Sequence, residues 1–216
     1  MKKGAKVHGD KAGIYVGPNQ KITGQIVVSG ELSGKEADIL NEGIIAQNII
    51  NTSLNDLSIK NQTDAQIIKG ISNTNSAKLD IDNKDQANIS KWIINKGLGK
   101  LNIKNKDHAS ITAAIINADL GKLNLINSSS QGISGIITNE DSGELNIINN
   151  TKINANILNN ADGYLSIENK DDENTDASIK GNISNNAKRD FSPKQSKRCF
   201  HFRKYKQPRF RSLKSY

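Results

Sequence analysis

A five-residue pattern that returns every 22 residues constrains this chain more than any other feature. Leu57-Ser58-Ile59-Lys60-Asn61 recurs as Leu79-Asp80-Ile81-Asp82-Asn83, then as Leu101-Asn102-Ile103-Lys104-Asn105. It returns again as Leu123-Asn124-Leu125-Ile126-Asn127 and Leu145-Asn146-Ile147-Ile148-Asn149. A sixth copy, Leu165-Ser166-Ile167-Glu168-Asn169, comes after 20 residues. Alternation of the L-x-I type places both apolar side chains on one face of a strand. The asparagine and the glycines beyond it are turn formers, since Asn tolerates the left-handed region and Gly enters it freely. A unit this short cannot bury its own apolar face, so neighbouring units must stack to do so.

Each period carries two further apolar segments. One is Ala-x-Ile, at Ala87 and Ile89, Ala109 and Ile111, and Ala177 and Ile179. The other ends in Asn, at Ile93-Ile94-Asn95, Ile115-Ile116-Asn117, Ile136-Ile137-Thr138-Asn139 and Ile157-Leu158-Asn159. Gly99, Gly121, Gly143 and Gly163 stand two residues before the next Leu. Aromatic residues make up 4% of the chain and the mean hydropathy is -0.59. That suits a thin core of Ile, Leu and Val better than a globular core built on large rings. The expected fold is all-β, a right-handed parallel β-helix with coils of about 22 residues, about seven coils in all. Leu57, Leu79, Leu101, Leu123 and Leu145 should form one interior column, and Ile59, Ile81, Ile103, Leu125 and Ile147 the next. The aligned asparagines should hydrogen-bond up the stack. A leucine-rich repeat has an overlapping period but places its Asn three residues after the last strand leucine, not two, and 104–119 is a poor helix. A disordered chain would not keep the apolar spacing.

The chain divides into four regions: a disordered head at 1–9, irregular first β-coils at 10–56, regular 22-residue repeats at 57–187, and a basic unstructured tail at 188–216. The chain carries a net charge of +8, but the tail holds 11 of 30 Lys+Arg and one of 22 Asp+Glu. Positions 1–187 are therefore near neutral, with 19 basic and 21 acidic residues. Cys199 is the single cysteine, so no intrachain disulfide forms. The basic head from Met1 to Lys6 leads into no apolar run, so the chain is expected to carry no export signal and no membrane insertion.

The sequence offers no convergent catalytic, cofactor or metal-binding constellation, and the expectation is none of each and no enzyme. Gly132-Ile133-Ser134-Gly135 is one residue short of a nucleophile elbow and reads as a coil turn. His108 sits after Asp107 at a turn, which reads as a solvated residue rather than a base. Asp171, Asp172, Glu173 and Asp176 match no calcium loop and read as a solvated insertion. Trp92, the only tryptophan, replaces an apolar position beside Ile93; its packing role competes with a contact for sugar or protein if exposed. Polysaccharide-cleaving enzymes also use β-helices and form the alternative class, although paired carboxylates on one face are not evident.

The run Gly13-Ile14-Tyr15-Val16, then Ile22-Thr23-Gly24-Gln25-Ile26-Val27-Val28-Ser29-Gly30, then repeated G-x-L-x-I-x-N resembles the passenger domains of Gram-negative autotransporters (type V secretion). The resemblance is to adhesin or haemagglutinin-like members and spans about residues 10–186. It implies a virulence-associated surface adhesin or structural passenger, exported through a C-terminal outer-membrane β-barrel. Its implied partners are host or bacterial cell-surface molecules, reached by the full-length parent at the outer membrane. The 216-residue stretch, without signal peptide or barrel, would be a non-secreted fragment of that parent.

The tail breaks from this composition at Lys188. All four Phe, the only Cys, two of three Pro and two of four Tyr lie beyond it. Its Arg203, Lys204, Lys206, Arg209 and Arg211, interleaved with Phe202, Tyr205 and Phe210, have the composition of a single-strand nucleic-acid binder. The genetic code supplies another origin. Read one base forward with allowed AT-rich codons, 189–195 becomes Gly-Thr-Leu-Ala-Leu-Asn-Asn, which restores the repeat. Residues 198–212 become Gly-Val-Phe-Ile-Leu-Glu-Asn-Ile-Asn-Asn-Gln-Asp-Leu-Glu-Val. The tail is thus read as frameshift-derived, with no designed nucleic-acid partner.

Overall fold

The computed structural model describes residues 2, 4–160, 162–170 and 176–186, together with the backbone of 191–195 and 205–206. Among these the chain is all-β, without a helix, and its strands stack in parallel as a β-solenoid of about eight turns. Each regular coil lays down three strands in chain order. The first is the L-x-I-x-N strand, as in Leu57–Asn61, Lys78–Asn83 and Lys100–Asp107. A two-residue strand comes next, as in Gln66–Ile67 and Asn88–Ile89. The third ends in the second Asn, as in Gly70–Asn73, Trp92–Asn95 and Ala114–Asn117. Stacked, these make faces one, two and three of the solenoid; faces one and three are nine-stranded.

The expected columns are in place. Leu79 pairs with both Leu57 and Leu101, and the series continues through Leu123 and Leu145 to Leu165. Ile59, Ile81, Ile103, Leu125, Ile147 and Ile167 form the parallel column beside it. Both columns are buried, and they meet Ile67, Ile89 and Ile111 of face two and Ile71, Ile93 and Ile115 of face three in one continuous core. Among the described residues this core is made of Ile, Leu, Val and Ala alone, in keeping with the scarcity of aromatics in the sequence.

Eight face-one strands fall within 10–187, rather than about seven, because the irregular first coils supply two, Ala12–Val16 and Ala37–Asn41. The ends also differ from expectation. Lys6–Gly9, within the head expected to be disordered, pairs with Glu31–Gly34. Phe191–Gln195 and Tyr205–Lys206, within the tail expected to be unstructured, pair with Tyr164–Asn169 and Ile183–Asn185. At the C-terminal end the reason is the open edge of the two long sheets, whose unpaired N–H and C=O groups adjacent chain can meet; at the head, Lys6–Gly9 and Glu31–Gly34 satisfy one another in a two-stranded sheet of their own.

Two asparagine ladders run the length of the stack. At the corner after face one, Asn41, Asn61, Asn83, Asn105, Asn127, Asn149 and Asn169 each give Nδ2 to the Oδ1 of the next, at 2.7–3.0 Å. After face three, Asn51, Asn73, Asn95, Asn117, Asn139, Asn159 and Asn185 do the same at 2.6–3.0 Å. In the second ladder the same amide also reaches the carbonyl four residues on, as Asn95 donates to Gly99 O at 2.8 Å and Asn117 to Gly121 O at 2.7 Å. A buried amide must find partners for both ends, and the stack provides them at every rung.

The glycines before each Leu serve this ladder by close approach, not by a left-handed backbone. A Cβ on Gly121 would lie 2.5 Å from the Asn95 amide nitrogen and 2.8 Å from the Asn117 amide oxygen. Positive φ falls instead two residues earlier, on Gly97 (77°), Asp119 (58°) and Asp141 (56°). At the other corner it falls on Thr63 (62°), Asp85 (61°) and Asp107 (59°). The aspartates cap their neighbours: Asp85 accepts from Thr63 N at 3.0 Å, and Asp119 from Gly97 N at 2.8 Å.

Candidate functional site

With the interior filled by aliphatic columns and paired amides, only the outward positions are left to meet a ligand. Face one is mostly polar outside, with Ile126 and Ile148 the apolar exceptions in its regular coils. Asp80, Asn102, Asn124 and Asn146 form a third, outward ladder in which each Asn donates back to the coil before it, at 2.6–3.2 Å. Beside it lies an open groove of about 650 Å³, lined among others by Ser58, Lys60, Asp82 and Lys104. Its three acids are engaged by lysines, Glu36 by Lys60 at 3.7 Å, Asp80 by Lys78 at 2.8 Å and Asp82 by Lys106 at 3.1 Å. Such exposed pairs are weak, each worth about 1 kcal/mol or less.

Face three is different in kind. Register places Gln25, Asn48, Gly70, Trp92, Ala114, Ile136, Asn156 and Asn182 in one outward column. The next holds Val27, Ile50, Ser72, Ile94, Ile116, Thr138, Leu158 and Ser184. None of these sixteen is charged, in a chain where 24% of residues are. Leu98 and Leu120, at the turn beyond this face, are 64% and 58% exposed and extend its apolar margin.

The residues singled out from the sequence are scattered. His108 is exposed, and its backbone N–H donates to Asp85 O at 2.8 Å. The Asp107 carboxylate turns the other way, accepting from Asp85 N at 3.4 Å, so the two do not form a base and its orienting partner. Gly132-Ile133-Ser134-Gly135 is not wholly a turn: Ile133 is buried and bridges Ile111 and Ile153, completing the face-two column, while Gly132 supplies the turn with φ 72°. Asp171, Asp172 and Glu173, like Cys199 and the interleaved aromatics of the tail apart from the Tyr205 backbone, lie outside the described residues. Among the described residues no group of three or more His, Cys, Asp and Glu side chains is placed to hold a metal ion, and no helix is long and apolar enough to cross a membrane.

Trp92 is the residue whose role the sequence leaves open, and it points outward on face three, half-buried. The signal that settles its direction is present in the sequence. Asn95 is inward, so by period-two alternation Ile93 is inward and Trp92 and Ile94 are outward.

Near the first coils, Glu42 gathers a polar cluster. It accepts from Tyr15 Oη at 2.6 Å and from Gln62 Nε2 at 2.6 Å, with Lys11 at 3.9 Å and also 4.3 Å from the Tyr15 ring centroid. The Tyr15 hydrogen bond, and after it that of Gln62, holds the Glu42 carboxyl below its ordinary range. Glu144 is lowered in the same way, first by Lys122 at 2.8 Å and then by Asn146 at 2.9 Å.

Set against known proteins, the chain matches no family profile, no curated protein and no solved structure.

Proposed function

We propose that this chain is a length of autotransporter-like passenger, a non-enzymatic β-solenoid whose parent acts at the outer membrane in adhesion or as surface structure. The observation that carries this reading is the division of labour between inside and outside. The devices that hold the fold, aliphatic columns and two amide ladders, occupy the interior, while two long, regular faces, one carrying charge and one uncharged, are turned to solvent. A repeating surface of this kind offers extended contact rather than one converged pocket. Host or bacterial surface molecules are the partners such a surface serves.

Binding of the purified chain to bacterial and host cells, alongside aggregation assays with the intact parent gene, tests the reading; saturable binding or clumping is the expected result. The competing reading, a β-helix carbohydrate-active enzyme, draws on the face-one groove. Turnover of pectin, peptide or ester substrates that is abolished by Asp80→Asn or Asp82→Asn would overturn the adhesive reading.

A further inference from the structure

Trp92 is set on the solenoid in an unusual way. The three atoms nearest to a Cβ built on Gly70 are Cδ2, Cε2 and Cε3 of the indole, all at nearly the same distance and all too close to admit a methyl group. Three ring atoms equidistant from one point above a backbone mean that the point faces the plane of the ring. The indole therefore lies flat across the neighbouring coil, over Gly70, with its second face turned away from the sheet. On the other side of the column stands Ala114, too small to cover it.

Two further observations bear on the site. Asn48, next in the column beyond Gly70, accepts from the Gly70 N–H through its Oδ1 at 3.0 Å, a bond that does not use its amide NH2. The residue before the tryptophan, Lys91, has φ 79°, while Lys69 and Ala113 at the same place in adjacent coils do not enter the left-handed region. A long side chain in that region is costly, and such strain collects where a neighbour must be held in place. Here it falls on the coil that presents the ring.

We infer that Trp92 is a stacking platform for a neutral sugar ring. An uncovered aromatic face takes the C–H face of a pyranose, whose apolar hydrogens meet the electron-rich π surface. An adjacent carboxamide donates to the ring hydroxyls. None of the sixteen central positions of the face is charged, and the nearest cations, Lys69 and Lys91, stand at its margin beside the ring; the platform itself therefore favours a neutral pyranose over uronates, sulfated glycans and phosphorylated surfaces, whose desolvation an aromatic face does not offset. The inference rests on the adhesive reading and deepens it by naming the ligand class.

The full chain has one tryptophan, so its fluorescence reports this site alone. It is titrated with maltohexaose, cellohexaose and chitohexaose, and with polygalacturonate as the anionic comparison. The expected result is a saturable change in emission with a neutral hexasaccharide and none with polygalacturonate. Trp92→Ala, measured by calorimetry, should lower that affinity about tenfold or more, as for a buried aromatic anchor; Gly70→Ala, which displaces the ring without removing it, should weaken binding while leaving the melting curve cooperative. No saturable response to any neutral hexasaccharide overturns the inference. So does a blue shift that grows with protein concentration alone, together with self-association in sedimentation that Trp92→Ala abolishes, which would assign the ring to a second copy of the chain. If wild type and Trp92→Ala bind cells equally, the platform fails and adhesion stands. If wild type binds neither sugars nor cells, both readings fall.

Discussion

A single buried amide is the smallest unit that ties one coil to the next. Asn105 accepts from Asn83 Nδ2 at 2.9 Å and donates to Asn127 Oδ1 at 3.0 Å and Gly132 O at 3.2 Å. Replacing it with Leu, of similar size, removes both rungs: Asn83 Nδ2 keeps Ser110 O at 3.0 Å and Ala87 O at 3.4 Å, while the buried Asn127 Oδ1 loses its donor. One buried group left unsatisfied costs about 1–3 kcal/mol and each lost hydrogen bond about 1 kcal/mol, so Asn105→Leu should destabilise the chain by roughly 2–4 kcal/mol in urea unfolding, whereas Asn102→Ala on the outward ladder should cost about 1 kcal/mol or less. Equal losses at the two positions would deny the interior ladder its special weight. Glu42 makes a different prediction. Its folded-state proton affinity is lowered by Tyr15 and Gln62, so the carboxylate contributes stability above the ordinary glutamate range, about pH 4–5, and that contribution is lost as the pH falls through its lower folded value. Acidification should therefore loosen the first coils, and Glu42→Gln should flatten that part of the stability–pH curve. Superimposable curves for the two proteins would remove Glu42 from the account.

At the scale of the strand, stability is a sum over neighbouring coils. Leu101→Asp places a carboxylate in a column where Leu79, Leu101 and Leu123 are all fully buried. The loss should be about 4 kcal/mol or more, and hydrogen exchange should rise first in 78–83, 100–107 and 122–129 while 37–61 keeps its protection. Uniform loss of protection along the chain would indicate one cooperative block instead. The strand is also the scale at which the sequence is most readable. Leu and Ile at alternate positions, closed by Asn, announce which side chains go inward, because burial and a period of two leave one solution. The corners are less readable. Their left-handed residues are Asp85, Asp107, Asp119 and Asp141, not the glycines before each Leu, because a short acceptor side chain stabilises that backbone by capping the coil below, and only stacking reveals the partner. Trp92 is ambiguous for the same reason: alternation gives its direction, but the slot over Gly70 belongs to a residue 22 positions away.

For the whole molecule, the decisive region lies beyond the last regular coil. Backbone pairing sets Phe191 against Leu165, Pro193 against Ile167 and Gln195 against Asn169. Those are the L-x-I-x-N positions, where the sequence now reads Phe, Pro and Gln; Pro193 has no N–H to give to the ladder. Read one base forward, the same three codons give Leu, Leu and Asn. The second pairing agrees: Tyr205 and Lys206 stand against Ile183 and Ser184, and the forward frame reads Ile and Asn there. Codons set the frame and strand pairing sets the register, yet both select the same positions. The prediction is that DNA around codon 188 carries a slipped A/G run and that the forward frame continues through further L-x-[IV]-x-N coils. A protein-level test runs beside it: Phe191→Leu with Pro193→Leu and Gln195→Asn should complete the coil, adding a rung beyond Asn169, raising hydrogen-exchange protection across 164–169 and shifting the melting curve upward. Stop codons directly after 188 in the forward frame, or a triple variant with unchanged protection, would make the basic tail a segment in its own right, with Arg203, Lys204 and Arg209 to be tested against single-stranded nucleic acid.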